Sequence, residues 1–305
     1  MGEPKPGAEP PQNGTPAAEH DIDAVLVREL LAAQHPDLAD QAIRAVDAGW
    51  DNAMFRLGEA LAVRLPRRAA AAQLVLNEQR WLPLLAPLLP LPIPAPLRVG
   101  APGCGYPWCW SIVPWLDGES ADLAPPAPSQ AEPLAAFLRA LHQPAPADAP
   151  ANPVRGIPLQ ARAAVVEERL ERLSGLTGVV GSQIMIIWRE ALEAPPERAP
   201  TWLHGDLHAR NMLVSGDVIS GVIDWGDITS GDRAADLASV WMLFEQAQAR
   251  TAAILAYGDA DPDLWRRARG WAVLLAAALL DTGLVDHPRH AAMGETTFRR
   301  LLADS

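Results

Sequence analysis

The stretch TWLHGDLHARNMLV (residues 201–214), followed by VIDWGD (residues 222–227), is the most informative part of this sequence. It contains a His-Gly-Asp turn at residues 204–206, then Asn211, then a second acid at Asp224. The apolar runs Met212–Val214 and Val218–Ile223 flank a polar turn, and this pattern predicts a β-hairpin. Such a hairpin would hold Asn211 and Asp224 close to each other.

The residue types at these positions fit phosphoryl transfer. That reaction needs a carboxylate to accept the proton of an attacking hydroxyl, and oxygen ligands to hold Mg²⁺ against the phosphates of a nucleotide. Asp206 is therefore the predicted base, and Asn211 and Asp224 are the predicted metal ligands. A lone His-Gly-Asp tripeptide occurs in ordinary turns, but the whole arrangement at this separation is much rarer. The pattern predicts a kinase-type active site.

These motifs resemble those of the aminoglycoside phosphotransferase superfamily, which comprises kinases of antibiotics and small metabolites. The resemblance implies an α+β, two-lobed, protein-kinase-like fold with a small antiparallel-sheet N-lobe and a larger, mainly helical C-lobe. It implies that Asp206 is the catalytic base, that His204 supports the catalytic loop, and that Asn211 and Asp224 hold Mg²⁺. It also implies that Asp236, in the stretch that follows, braces the catalytic loop.

Apolar periodicity independently predicts the element order of such an N-lobe. The predicted elements are a helix over residues 22–33, strands over residues 42–48, 54–57 and 60–65, a helix over residues 69–85, and strands over residues 97–99 and 108–114. The predicted C-lobe helices cover residues 134–142, 160–173, 183–194, 234–253, 263–280 and 296–302. We expect a disordered tail at residues 1–20, a nucleotide-binding N-lobe at residues 21–116, and a C-lobe at residues 117–305 with the catalytic loop and the substrate-binding helices.

The nucleotide side of the predicted site has no lysine, because Lys5 in the tail is the only lysine of the chain. The resemblance to kinases implies a basic residue on the third strand that binds the nucleotide phosphates and pairs with a Glu on the next helix. Arg64 is the candidate there, since a guanidinium can bind phosphate in a bidentate manner. Glu78 on the next helix is its predicted partner, with a solvated helix residue as the alternative. The stretch is similar to the third strand of macrolide-type members of the superfamily, so the absence of lysine does not imply lost activity.

Two further contacts to the nucleotide are predicted. The turn at residues 49–52 takes the place of a Gly-rich loop, and Asn52 would cover the phosphates. The strand ending near residue 114 would lead into the hinge between the lobes, where backbone groups of Val113 to Leu116 would bind the base. The alternative for residues 49–52 is a turn that only closes a hairpin. The alternative for residues 113–116 is an ordinary linker between domains.

Composition narrows the class of protein. A formal charge of -12 and a pI near 5.0 argue against nucleic-acid binding, which needs basic patches. The longest apolar run, residues 271–280, is about half the length of a membrane span, and the N-terminus lacks the pattern of a signal peptide. We expect a cytoplasmic protein with no membrane partner. Cys104 and Cys109 are predicted to be reduced packing residues.

The predicted function is transfer of the terminal phosphoryl group of ATP or GTP to a hydroxyl of a small molecule. An antibiotic, either an aminoglycoside or a macrolide, is the favoured acceptor. The alternatives are a metabolite kinase acting on a sugar, choline-like or amino-alcohol hydroxyl, and a catalytically silent nucleotide-binding protein. A zinc hydrolase built on His204, Asp206 and His208 is disfavoured, because further ligands would have to come from His287 and His290.

Two sets of C-lobe residues suggest different acceptors. A polyamine would suit the acidic set, which is Asp259, Asp261, Asp263, Asp281 and Asp286. A macrolactone would suit the aromatic set, which is Trp241, Phe244, Trp265 and Trp271. Helix ends and core packing account for the same residues, so the sequence does not choose between these acceptors.

Overall fold

The computed structural model describes residues 17–46 and 51–304. The strands are β1 (Ile43–Ala45), β2 (Asn52–Leu57), β3 (Leu61–Pro66), β4 (Arg98–Gly100), β5 (Trp110–Pro114), β6 (Glu119–Ser120), β7 (Thr201–Leu203), β8 (Met212–Ser215), β9 (Val218–Val222) and β10 (Thr229–Gly231). The helices are α1 (Ala24–Gln34), α2 (Ala69–Leu85), α3 (Ala131–Leu141), α4 (Ala163–Leu176), α5 (Ser182–Glu193), α6 (Ala234–Leu237), α7 (Ser239–Leu243), α8 (Ala247–Tyr257), α9 (Pro262–Asp286) and α10 (Pro288–Ala303). The predicted disorder of residues 1–16 and the turn residues Gly49 and Trp50 lie outside the described residues.

The N-terminal region is a five-stranded antiparallel sheet in the order β1-β2-β3-β5-β4. The central strand β3 is almost entirely buried, as its apolar run of residues suggests. One side of the sheet packs against α1 through a cluster that includes Leu30, Phe55, Val63 and Trp110. The predicted strand and helix order of the N-lobe and the α+β fold class are confirmed, while the boundary after Leu116 stays a prediction.

Helix α2 has the bounds that the sequence predicted, but it continues through Pro83 rather than ending there. Because Pro83 lies in the last turn, the helix loses one backbone hydrogen bond without breaking. At its start, the Glu19 carboxylate accepts a hydrogen bond from the Ala69 N–H at 3.0 Å. Glu19, which lies within the predicted tail, thus contacts the start of α2, and the bounds of the tail stay a prediction.

The C-terminal region surrounds the long helix α9, which packs against α5 and α10. Two small antiparallel sheets, β6-β8-β9 and β10-β7, complete this region. In chain order β6 precedes α3, and the other four strands lie between α5 and α6. Among the described residues α9 alone is long and apolar enough to cross a membrane, yet 67% of its apolar window is buried inside the protein. Its composition is accounted for by its position in the core.

The prediction of one helix over residues 234–253 is wrong, because this segment forms α6, α7 and α8. Phe244 is extended, with φ -91° and ψ 123°. The carbonyl groups freed at this break accept hydrogen bonds from Arg250 Nη1, at 3.0 Å from Phe244 and 2.8 Å from Glu245. Periodicity does not show this break, because apolar positions continue on both sides of it. Cys104 is also not a packing residue, since it is exposed in a turn with φ 50°.

Candidate active site

The predicted β-hairpin is present and brings the two predicted metal ligands together. Strands β8 and β9 pair antiparallel, and Gly216 and Asp217 in the connecting turn have positive φ angles of 55° and 66°. At the open end of the hairpin the Ile223 N–H donates to the Asn211 carbonyl at 2.8 Å. Asp224 follows directly, so the hairpin fixes it beside Asn211.

The loop between β7 and β8 is held by Asp236 at the start of α6. Its carboxylate accepts hydrogen bonds from the N–H groups of His204 and Gly205, at 2.7 and 2.9 Å. The buried His204 ring joins this loop to β9, because Nε2 donates to the Ile223 carbonyl at 2.9 Å and Nδ1 accepts from the Asp206 N–H at 3.2 Å. Both ring nitrogens are thus used to position the loop.

Gly205 is required at the turn that precedes Asp206. Its φ is 87°, and a Cβ atom at this position would lie 2.6 Å from the carbonyl oxygen of Asp227. Backbone conformation and close packing therefore both exclude a side chain here. The glycine lets the catalytic loop lie directly against the segment that follows Asp224.

Replacing Asp236 with Asn is expected to destabilise this loop. An amide has one acceptor oxygen and presents N–H groups, so one of the two buried N–H donors would lose its partner. We expect the free energy of unfolding to fall by about 2–3 kcal/mol, measured by urea denaturation. Asp261→Asn is the control, because Asp261 caps α9 at an exposed site and Asn caps helices equally well. Equal losses in both variants would contradict a bracing role for Asp236.

Asp206, the predicted base, is held by two basic side chains. Its Oδ1 accepts a hydrogen bond from Arg155 Nη2 at 2.7 Å, and its Oδ2 lies 3.3 Å from His208 Nε2. Burial alone would raise the pKa of Asp206, but the charges of His208 and Arg155 outweigh burial and hold the pKa below its ordinary value. The carboxylate is therefore ionised at neutral pH, which a proton acceptor requires.

Arg155 and its neighbour Asn152 were not found from the sequence. The Asn152 side-chain oxygen accepts from the N–H groups of Val154 and Arg155, and its Nδ2 donates to Asp227 Oδ1 at 2.7 Å. This turn anchors Arg155 against the catalytic loop. Asn152, Pro153 and Gly156 are residue types that favour turns, but nothing local in the sequence shows where such a turn packs.

The nucleotide side of the site is organised around Arg64 on β3. Its Nη1 lies 2.8 Å from Glu78 Oε1, and its Nη2 lies 3.0 Å from Asp224 Oδ1. When the Asn52 amide is oriented with its oxygen toward the guanidinium, that oxygen accepts from Arg64 Nε at 3.2 Å and Nη2 at 3.0 Å. The structure thus brings together four of the predicted residues, although Asn52 contacts Arg64 rather than projecting from its turn.

The ion pair between Arg64 and Glu78 is buried at a cost. Burial raises the pKa of Glu78 to about 7, even though the charge of Arg64 acts in the opposite direction. Desolvation of the carboxylate therefore outweighs its attraction to the guanidinium. We infer that the pair serves to orient Arg64 toward Asp224 more than to stabilise the fold.

Asn211 and Asp224 offer oxygen atoms that suit Mg²⁺. The Asn211 Nδ2 group donates to the Asp206 carbonyl at 2.9 Å, which leaves its Oδ1 as the atom for a cation. Asp224 has a left-handed backbone with φ 61°, and 58% of its side chain is exposed. Mg²⁺ commonly takes one or two protein oxygens and completes its shell with water and phosphate. The residues present fit this ion.

A zinc-type site is not supported. Among residues 17–46 and 51–304, no group of three or more His, Cys, Asp or Glu side chains is placed to hold a metal. Zinc sites need three or four such ligands. The rings of His287 and His290 instead stack on each other, with their centroids 4.6 Å apart.

The two residues predicted to bind the nucleotide base lie at the end of β5 and just after it. Val113 is buried on β5 and pairs in register with Ala62. The Leu116 side chain packs against Gly221, where an added Cβ would lie 2.9 Å from Leu116 Cδ1. Val113 thus lies beside β3, and Leu116 lies beside β9. Binding of the base by their backbone groups stays a prediction.

Most of the acidic and aromatic residues proposed for acceptor binding have structural roles. Asp259 pairs with Arg233 at 2.7 Å, Asp263 with Arg266 at 2.8 Å, and Asp281 with Arg172 at 2.7 Å. Asp261 caps α9. Among the aromatic residues Trp241, Phe244 and Trp271 are buried in the core, and Trp265 packs edge-on against Trp241.

Comparison with known proteins gives a consistent result. A family model described as the phosphotransferase enzyme family matches residues 42–271. The GDP complex of aminoglycoside 2'-phosphotransferase-IIIa is similar in structure, with a TM-score of 0.67 and 18% identity over 93% of this chain and 100% of that chain. Macrolide 2'-phosphotransferase MphH from Brachybacterium faecium has a TM-score of 0.58 and 21% identity over 90% and 96% of the two chains.

A streptomycin-ATP-APH(2")-IIa ternary complex also matches, with a TM-score of 0.55 and 17% identity over 86% of this chain and 88% of that chain. No curated protein matches by sequence. At these identities the likeness to solved structures shows the fold, while the match to the family model covers more than half of the chain.

Proposed function

The chain belongs to the phosphotransferase enzyme family, and on this premise we propose that it transfers the terminal phosphoryl group of ATP or GTP to a hydroxyl of a small molecule. One observation carries the proposal, which is the contact of Arg64 from the N-terminal sheet with Asp224 beside the catalytic loop. It supports the proposal because Arg64, the predicted phosphate-binding cation, contacts Asp224, which follows Ile223, and the Ile223 N–H donates to the carbonyl of Asn211, the other predicted metal ligand.

Each residue of the site then has its own role in the reaction. The hydroxyl oxygen of the acceptor forms a bond to the terminal phosphorus, the bond to the leaving nucleoside diphosphate breaks, and the hydroxyl proton passes to Asp206. Arg155 and His208 keep Asp206 ionised and oriented. Arg64 binds the phosphates and offsets the negative charge that develops on them. Mg²⁺, held by Asn211 and Asp224, would supply further positive charge at the phosphates.

Removal of divalent metal is expected to abolish transfer, because the negative charges of the nucleotide phosphates and of the Asp224 carboxylate would then repel each other. The measurement is nucleotide turnover with excess EDTA and again after Mg²⁺ is added back. Recovery with Mg²⁺ is the expected result. Turnover that is unaffected by EDTA would contradict the assignment of Asn211 and Asp224.

The acceptor is tested with a panel of aminoglycosides, macrolides, sugars and amino alcohols, with phosphate transfer read by mass spectrometry. Phosphorylation of an antibiotic would favour a resistance enzyme, and phosphorylation of a metabolite would favour the metabolite kinase. Slow hydrolysis of ATP and GTP, measured with Mg²⁺ and no acceptor, separates both kinases from a silent nucleotide-binding protein. If the native protein neither hydrolyses the nucleotides nor phosphorylates any compound of the panel, the proposed function is contradicted.

A further inference from the structure

The turn that carries Arg155 is packed tightly against β10 and the segment before it. Asn152 Nδ2 donates a hydrogen bond to Asp227 Oδ1 at 2.7 Å. Gly156 lies so close to this surface that an added Cβ would be 2.7 Å from the carbonyl oxygen of Ser230. The backbone that carries the Arg155 side chain is therefore fixed before any ligand binds, which a residue of an active site requires.

The Arg155 guanidinium uses only part of its donors on the predicted base. Its Nη2 donates to Asp206 Oδ1 at 2.7 Å, whereas Nε and Nη1 have no hydrogen-bond partner within the described residues. Neither of these two atoms is enclosed, and 16% of the side chain is exposed. Both are therefore open to solvent and free to bind a ligand that comes next to Asp206.

A phosphoryl group in transfer has to come close to this guanidinium. The acceptor hydroxyl must lie within about 2.6–3.2 Å of the base, and the reacting atoms about 3–3.5 Å apart. The terminal phosphate therefore comes within a few ångströms of the Asp206 carboxylate, which Arg155 already contacts. Because the nitrogen atoms of a guanidinium are all bonded to one carbon, Nε and Nη1 lie near the same place. An oxygen atom of the terminal phosphate can thus accept a hydrogen bond from Arg155.

The charge balance at Arg155 changes as the reaction proceeds. In the structure the Asp206 carboxylate compensates the guanidinium, and Asp227 also lies near it. Burial and the charge of Asp206 raise the pKa of Asp227, and Asn152 holds its side chain. When the hydroxyl proton passes to Asp206, that carboxylate becomes neutral and no longer compensates Arg155. The positive charge of Arg155 then acts on the negative charge of the phosphoryl oxygens.

We propose that Arg155 is a further catalytic residue, which binds the terminal phosphoryl group through Nε or Nη1 while this group passes from the nucleotide to the acceptor. The inference rests on the proposed function, whose bonds form and break as described there, and Arg155 neither gains nor loses a proton. A guanidinium suits this role because it stays charged when Asp206 is protonated and can bind two phosphate oxygens. Arg64 then binds the phosphates from the N-terminal sheet, and Arg155 binds the terminal one from the C-terminal region.

The test compares the affinities of the whole protein for ADP and for the non-hydrolysable β,γ-imido analogue of ATP, each with Mg²⁺. Only the analogue has the terminal phosphate. The measurements are made in an Asp206→Asn background, in which the base carries no charge that could repel this phosphate. There we expect Arg155→Gln to weaken binding of the analogue by at least about tenfold and to leave the affinity for ADP unchanged. Arg155→Lys keeps the charge and should retain part of the affinity for the analogue. GDP and the imido analogue of GTP are measured in the same way.

Arg162→Gln is the matched control for charge. Arg162 is a neighbour of Arg155, since burial and the charge of Arg155 lower the pKa of Arg162, but it makes no hydrogen bond to Asp206. The control removes one positive charge from the same surroundings and should leave both affinities unchanged, because salt screens charges that do not touch the ligand.

Three results would each overturn the proposal. They are an unchanged affinity of the Arg155→Gln variant for the triphosphate analogue, an equal loss of affinity for the diphosphate and the analogue, and an equal effect of Arg162→Gln. In all three the native protein still binds nucleotide, so the proposed function stands. If the native protein binds no nucleotide, the proposed function fails, and this inference fails with it.

Discussion

Replacing Asp206 with Asn is expected to slow phosphoryl transfer by about 10²–10⁴-fold. The amide cannot accept the hydroxyl proton, although it has nearly the same size and can still accept a hydrogen bond from Arg155. The measurement is the rate of transfer to the acceptor found in the panel, or of nucleotide hydrolysis with water as the acceptor. Nucleotide affinity should be nearly unchanged, because Arg64, Asn211 and Asp224 are left in place.

The matched control for this prediction is Asp217→Asn in the turn between β8 and β9. Asp217 is exposed with a positive φ of 66°, and Asn adopts that conformation readily. The control should keep full activity and a native thermal transition. Full turnover in the Asp206→Asn variant would overturn the assignment of the base.

Replacing Arg64 with Ala is expected to have the largest effect on both stability and nucleotide binding. The change leaves the buried Glu78 carboxylate without its cation, and breaking a buried ion pair typically costs about 3–5 kcal/mol. The lower end of that range applies here, because the pKa of Glu78 is already near 7 and the group can bind a proton instead. Urea denaturation measures the loss of stability, and titration with ADP and Mg²⁺ measures the loss of nucleotide affinity.

The double variant Arg64→Ala with Glu78→Gln separates these two effects. It removes the buried charge, so stability should recover in part while nucleotide affinity stays low. Arg98→Ala is the control within the same sheet, because its pair with Asp37 is exposed and contributes less than about 1 kcal/mol. Native nucleotide affinity in the Arg64→Ala variant would show that another group binds the phosphates.

Prediction from sequence worked where a pattern is local. The turn at Gly205, the hairpin of β8 and β9, and the bounds of α2 follow from residue types within a few positions of one another. It did not work at the end of α7. There the guanidinium of Arg250 satisfies the carbonyl groups that a continuous helix would have used.

In the candidate site, too, local patterns were predicted and a long-range contact was not. Arg64 and Glu78 were predicted as partners from the resemblance to kinases, in which a basic residue on the third strand pairs with a Glu on the next helix, and they do form an ion pair. Arg155 was not predicted, because its contact with Asp206 joins positions 51 residues apart through a turn with no regular period. Loops of this kind are positioned by the surfaces on which they pack, and sequence patterns carry little information about those surfaces.

The family, the fold class and the element order of the N-terminal sheet could be predicted from the sequence alone, and so could a set of candidate residues for phosphoryl transfer. These properties depend on side-chain chemistry and short-range periodicity, and both are visible within a few neighbouring positions of the sequence. Which charged side chains form ion pairs with each other, in contrast, depends on the tertiary structure. It paired Asp259 with Arg233 and Asp281 with Arg172. Charge compensation depends on distances of a few ångströms between residues far apart in sequence, so it is set when the chain folds.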